Sequence, residues 1–592
     1  MKRRDLLKTA LVLPLAGVMS GEAATARSRV RPGDPAWPSA AEWERLRKRV
    51  GGRLVQPVSP FAPAAREEAR AIALKHLRNP YYLGDEVALT QTSGWMQAWR
   101  SAPSAYAVAA ETTADVVAAV NFAREHNLRL VVKGGGHSYQ GTSNAADSLL
   151  AWTRHMNAVT LHDAFVGKGC AGKQAPQPAV SIQSGAMWAD AYHAVTTKGG
   201  RYVQGGGCLN VGVAGLVQSG GFGSCSKRYG TAAAGLIEAE VVTADGRVRI
   251  VNACQDPELY WALKGGGGGS FGVVTRVTLR THELPDYFGV VHTTLKATTD
   301  EAYRELVAKL MAFYASNLFN AHWGEQIGFG PGNVVRLRLM SQGVRARDAE
   351  ALFAPFFDWV RARAEYSFTE GLTVMEVAGQ KLWDAAYFRE HFPGAMLDDD
   401  RSGPRPSHHT LWEGDHGQVG WFILNYKSAW LPASLLNDQA RLVDALFEAS
   451  RHWDVGLHFN KGIAGAGADE LAAVRDTATN PQVVESFALA IIAMGGPPAF
   501  TGMPATARDE ARAQDVSERI DKSMAALVKA APGAGAYVSE SDYFQADWQT
   551  AFWGTNYSRL AAVKRKYDPQ GLFCVHHGVG SEAWSADGFT RV

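Results

Sequence analysis

Apolar positions recur at helical spacing in "ETTADVVAAVNFAREHNL", where Val116, Val117, Val120 and Ala123 share one face and Thr113 is placed to cap the start. The run "LRLVVK" that follows is too short and too apolar for a surface helix and reads as a buried strand. "SLLAWT" and "AVSIQSG" give further strands, and "MWADAYHAVTTKG" a helix ended by Gly199. "IEAEVVTADG" is a strand whose Asp245-Gly246 turn leads into "RVRIV", and "DPELYWALKGGGGGSFGVVTRVTLRTHEL" is a helix, a glycine run and a strand. Residues 102–285 therefore form one α+β unit behind a helical lead-in at 27–101.

The pattern changes after Pro285. Strand-like runs ("VVRLRLMSQG", "GWFILNYKS", "VGLHFNKG", "SFALAIIAMGG") alternate with long helices such as "DEAYRELVAKLMAFYASN" through 286–520. This suits a second lobe, an antiparallel sheet covered by helices. Residues 521–592 close with a helix, an Asp568-Pro569 stop and a short apolar finish.

With 592 residues, 46% of them apolar, the chain can bury a large core without a disulfide framework. The net charge of +2 gives no nucleic-acid footprint. Residues 1–26 combine a basic start, an apolar stretch and a small-residue end at Ala24-Thr25-Ala26, a secretory leader. Arg3 and Arg4 resemble the address of twin-arginine (Tat) export, with an ordinary secretory route as the alternative. A periplasmic or secreted protein, free of the membrane after leader removal, is expected. Cys170, Cys208, Cys225, Cys254 and Cys574 are odd in number and lack CxxC spacing, which leaves at least one unpaired within the chain and argues against a zinc ribbon or thioredoxin-type site.

Glycine loops carry the candidate chemistry. Two generic matches fail on context: Gly167, Gly169 and Gly172 run into a proline-broken stretch, and Gly267, Gly269 and Gly272 follow a helix and open a strand, the reverse of a dinucleotide turn. Ser270 fails as a nucleophile elbow for the same reason. "VVKGGGHSYQGTS" is different, because its glycines follow a strand and surround His137. They remove Cβ atoms where a flat or charged group must approach, and their N–H groups can cradle phosphate. "QGGGCLNVGVAGLVQSGGFG" beds Cys208, a second nucleophile, in glycine in the same way. Together they suggest one planar ligand gripped from two sides.

These two stretches, with the tail "NYSRLAAVKRKYDPQGLF", resemble the bicovalent flavoproteins of the vanillyl alcohol oxidase superfamily, the berberine bridge enzyme-like oxidases in particular. "FCVHHGVGSEAWSADGFTR" and "LHFNKGIAGA" are similar to the isoamyl alcohol oxidase-like branch. The resemblance implies a PCMH-type FAD-binding domain, FAD bonded through His137 at the 8α-methyl and Cys208 at C6, and oxidation of a small-molecule hydroxyl with O2 as acceptor. It implies further cofactor contacts at Gly134, Gly135, Gly136, Ser138, Gly141, Val211, Gly212, Gly215, Gly272, Val274 and Asn556. Val211, three after the cysteine, stands where a small residue goes with oxygen use. "GVAGL" departs from the family's usual pattern at Ala214 and Leu216, which removes a polar contact made there in relatives.

The base that takes the substrate proton is open among Tyr557, through the tail motif, and His458 and Asn460. Strand alternation puts the last two on one face of "GLHFNKG", with Phe459 and Lys461 opposite. His408-His409 reads as an exposed proline-rich loop, His576-His577 as rings pointing apart, and Trp412, Trp421 and Trp553 as an aromatic pocket; no metal is expected. An amine or alkaloid oxidase on the same scaffold, and a flavin-binding protein without turnover, are the competing readings.

Overall fold

A computed structural model describes residues 28–503 and 509–592. The leader expected at 1–26 lies outside the described residues. No helix among them is long and apolar enough to cross a membrane.

The first lobe holds two sheets. In one, Leu54–Val55, Tyr106–Ala109, Ser148–Trp152 and Arg129–Lys133 lie in that order, the last three parallel. In the other, Val248–Asn252, Leu236–Val242, Val273–Glu283, Gln177–Gln183 and Val159–Phe165 are antiparallel, and Arg201–Val203 joins the end of the long central strand. The helix Thr113–Glu125 packs against strands of both sheets. Its cap is Thr112 rather than Thr113. The Thr112 hydroxyl accepts from the Asp115 N–H while the Asp115 carboxylate accepts from the Thr112 N–H, a reciprocal box that Thr113 is one residue too late to make. The helix that opens at Trp188 is α-helical only to Tyr192, and widens to a π-turn over His193–Lys198 before Gly199.

A nine-stranded sheet dominates the second lobe. Its order is Tyr366–Ala378, Tyr287–Ala297, Val334–Gln342, Trp323–Gly330, Val455–His458, Ser486–Gly496, Phe422–Pro432, Gly94–Trp95 and Trp99–Arg100. The last two come from the lead-in, so residues 27–101 are not simply helical: a parallel pairing of Gly94–Trp95 with Phe422–Pro432 ties them into the far lobe. Asp300–Phe313, Ala346–Arg361, Gln439–His452 and Glu510–Ala530 contribute to the apolar layer on one face of the sheet, with Leu306, Phe353, Leu446 and Ile520 fully buried. The boundary expected at 520 falls inside the last of these helices. It packs on Gln439–His452 and Phe422–Pro432 throughout, so the second lobe continues to Ala530.

The C-terminal stretch returns to the first lobe. There the Asp568-Pro569 stop is held by a buried ion pair: Lys564 Nζ donates to Asp568 at 2.6 Å and to the Ser270 carbonyl at 2.6 Å. The same carboxylate accepts from the Leu572 and Phe573 N–H groups. Removing one partner of such a pair strands a charge in low dielectric. Asp568→Ala is expected to lower unfolding free energy by about 3–5 kcal/mol, read from urea melts against the parent.

Candidate active site

One cavity of about 580 Å³ lies between the lobes. That is within the usual size range of a cofactor or ligand site. The glycine loop 134–138 meets the 207–216 loop so closely that a Cβ on Gly135 would stand 3.0 Å from the Gly212 nitrogen, and the reverse holds for Gly212. No side chain fits between them. At Gly207, Gly215 and Gly268 an added Cβ would meet nothing within 4 Å, which leaves a backbone-lined cradle open to the cavity.

His137 and Cys208 both line this cavity. Asn210, two residues beyond the cysteine, places its side-chain amide 3.1 Å from His137 Nε2. With the amide turned so that its otherwise unpartnered Oδ1 accepts from Nε2–H, the ring proton sits on Nε2 and the lone pair on Nδ1. Burial pushes the His137 pKa down to about 4, so the ring is neutral near neutral pH. Burial, reinforced by the neighbouring Asp415 carboxyl, raises the Cys208 pKa well above that of a free thiol. Cys208 therefore rests protonated and is bonded to Asp415.

Gly134, Gly136, Ser138, Val211, Gly212, Gly215, Gly272 and Val274 also line the cavity. Two expected contacts do not. Gly141 turns away with φ +70°, where a Cβ would strike the Trp99 ring at 2.5 Å, so its role is packing. Asn556 donates instead to the Thr479 carbonyl at 2.8 Å, fixing the tail helix to the second lobe.

The expected base Tyr557 is corrected as well. Its hydroxyl donates to Glu582 at 2.6 Å, and Tyr557 is not among the residues lining the cavity. His458 and Asn460 do line it, but so does Lys461. The strand ends at His458, and a turn over 459–461 breaks the alternation that would have sent Lys461 the other way. Phe459 alone faces the core, stacked on Tyr314 at 4.0 Å. Lys227, buried in the first lobe, clamps this turn by donating to the carbonyls of Phe459, Gly462 and Phe487.

Three carboxyls missed in the sequence complete the site. Glu540 pairs with Lys461, Glu325 accepts from the Ser224 hydroxyl, and Asp415 lies by Cys208. Burial raises the pKa of both Glu325 and Asp415 and also holds His458 well below its usual value. Trp412 and Trp553 line the cavity, whereas Trp421 is buried behind it against Tyr139. His576 and His577 do not point apart. They lie outside any strand, His577 has φ +50°, and their rings stack at 3.8 Å on the cavity wall. His408 and His409 are not an exposed pair: His409 is buried, and both rings reach Asp190.

The donor set suits a flavin nucleotide. Gln140 Oε1, Ser184 Oγ and Asn460 Oδ1 are buried atoms of cavity-lining residues without a partner among the described residues, as ligand-binding acceptors and donors would be. Away from the cavity, Cys170 and Cys254 form a disulfide, leaving Cys208, Cys225 and Cys574 free.

Comparison with known proteins agrees. Residues 103–252 match the model of an FAD binding domain and residues 536–580 that of the berberine and berberine-like family. A VAO-type flavoprotein oxidase of Thermothelomyces thermophilus is 30% identical over 95% of each chain. The crystal structure of a VAO-type flavoprotein from Myceliophthora thermophila superposes with a TM-score of 0.76 at 26% identity, covering 95% of this chain and all of that one. A glucooligosaccharide oxidase of Acremonium strictum, whose FAD is 6-S-cysteinyl and 8α-N1-histidyl, shares the fold with a TM-score of 0.61 at 19% identity, covering 83% of this chain and 94% of that one.

Proposed function

The chain belongs to the VAO-type flavoprotein oxidases, FAD-linked oxidoreductases, and we propose that it oxidises a hydroxyl of an alcohol or sugar, with FAD attached through His137 and Cys208 and O2 as acceptor. The observation that carries this reading is the meeting of the two glycine-bedded nucleophiles on one cavity, joined by the Asn210–His137 contact. The 6-S-cysteinyl, 8α-N1-histidyl cofactor of the glucooligosaccharide oxidase supports it, since Asn210 Oδ1 accepting from Nε2–H leaves the Nδ1 lone pair for attachment. FAD held there by His137 and Cys208 would supply the redox chemistry, a hydride acceptor whose two electrons, with the carbinol hydrogen and the hydroxyl proton, account for one hydrogen peroxide per O2.

The chain's own residues orient substrate and move its hydroxyl proton. Asp415 is the base in this reading. Cys208 marks the ring's attachment point, and Asp415 is the carboxyl bonded to that thiol. A carboxylate with a raised pKa is a stronger proton acceptor than a solvated one, once it is ionised. Lys461, Glu540, His458 and Asn460 form the polar wall that would bind neighbouring hydroxyls, and Trp412 and Trp553 give flat apolar surface for a ring. Val211 lines the cavity beside the cysteine loop, and its small side chain suits the O2 use that this reading assigns. The Cys170–Cys254 disulfide supports export to an oxidising compartment, as the leader suggests.

Anaerobic mixing with a panel of primary alcohols, mono- and oligosaccharides and amines tests the reading. A hydroxyl donor is expected to bleach the visible flavin spectrum, and admitting air to restore it with one peroxide per substrate oxidised. Bleaching by amines alone would overturn the hydroxyl assignment, and bleaching without recovery in air the acceptor.

A further inference from the structure

We propose that Asp190, His408 and His409 form a binding site for a divalent transition metal, zinc in the first instance, that fastens the 385–412 segment to the first lobe. His408 Nε2 lies 3.1 Å and His409 Nε2 3.0 Å from the same carboxylate oxygen, Asp190 Oδ1. All three ligand atoms fall within 4.8 Å of one another. Two imidazole nitrogens and one carboxylate oxygen around one point are the donor types that a zinc site with an open fourth position uses.

Each ligand is aimed by other contacts. Asp190 Oδ2 accepts from the Met187 N–H at 2.9 Å, which turns Oδ1 outward from the helix Trp188–Tyr192. The His409 ring stacks on Tyr81 at 4.3 Å and the His408 ring on His193 at 4.2 Å. Consecutive residues in a strand would present their rings to opposite sides. Here the chain turns instead, with the His409 N–H donating to the Pro406 carbonyl, and the two rings stand at 86° with both Nε2 atoms on one oxygen. The cluster is largely withdrawn from water: the side chains of Asp190, His408 and His409 are 15%, 19% and 6% exposed.

The site has a structural consequence. The same short helix donates from its Trp188 and Ala189 N–H groups to the Val211 and Leu209 carbonyls, on either side of Asn210 and directly after Cys208. A metal on Asp190 would therefore brace the loop that carries the cysteine from outside the cavity. This inference does not depend on the proposed substrate or on the covalent attachment.

The experiment uses the full-length flavoprotein. Metal content is measured by plasma mass spectrometry after dialysis against zinc chloride and then metal-free buffer, for the parent, His408→Ala and Asp190→Asn. Thermal midpoints are recorded with and without EDTA. Roughly one zinc per chain in the parent, lost in both variants, with an EDTA-induced fall in midpoint seen only in the parent, is the expected result. His408 is the most exposed of the three, and each variant's flavin spectrum reports whether it has folded. Absence of stoichiometric zinc from the parent overturns the proposal. So does equal retention of zinc by the folded variants, or a midpoint that EDTA does not move.

Discussion

Asp415→Asn is expected to reduce kcat by about 10²–10⁴-fold, the usual worth of a positioned base, while the flavin stays attached to the protein. Asparagine keeps the size and one oxygen of the side chain but cannot hold the substrate's proton. The parent's pH profile should carry the signature of the same group. Burial raises the Asp415 pKa, so its ionised form is lost at a higher pH than for a solvated carboxylate. Since only the ionised form accepts a proton, kcat/KM should fall as pH drops through that raised value, and the variant should lack this acid limb. His458 is the weaker acceptor, because burial and the Lys461 charge disfavour its protonated form, and it does not titrate where the limb is expected. His458→Gln should therefore leave the limb where it is. An Asp415→Asn enzyme within a few-fold of the parent, with the acid limb intact, would move the base to another cavity residue.

That Asp415 went unnoticed in the sequence has a physical cause. It sits in "EGDHGQ", a 3-10 stretch with no periodicity, and what distinguishes it is a contact made across more than two hundred residues. The two nucleophiles were legible for the opposite reason. Glycine crowding is a local mark of close backbone approach, and Gly135 against Gly212 is that approach realised. The second lobe's strands were legible from alternation as long as the strand lasted. Lys461 was misplaced because the strand stops at His458, where Lys227 recruits three carbonyls from the opposite side. The tail motif points to Tyr557 and Asn556 as site residues, but in the fold it holds a helix in place. Its polar groups go to Glu582 and the Thr479 carbonyl. The twist that brings His408 and His409 onto one carboxylate depends on a turn at Pro406 that spacing alone does not reveal.

In a His137→Ala Cys208→Ala double variant, flavin absorbance is expected to vanish from acid-precipitated protein, while either single variant keeps it in the pellet through the remaining bond. The two attachments differ in what they need from the chain. His137 is ready once its proton sits on Nε2: burial holds the ring neutral, and Asn210 Oδ1 accepting from Nε2–H keeps the lone pair on Nδ1. Cys208 is not ready, because burial and Asp415 keep its thiol protonated and only a thiolate is a strong nucleophile. Asp415, as the bonded carboxyl, is the group positioned to receive that proton. Attachment through His137 should therefore be complete early and insensitive to pH, and attachment through Cys208 should be the slower bond and quicken as pH rises. Asn210→Ala placed in the Cys208→Ala background isolates the histidine's preparation, and should lower the covalent fraction without changing how tightly free FAD is held by the glycine cradle. Peptide mass spectrometry separates the cases. A double variant that still carries FAD on any peptide, or a Cys208→Ala protein that releases all of its flavin on denaturation, would show that His137 is not an anchor and that the cradle binds its cofactor by another route.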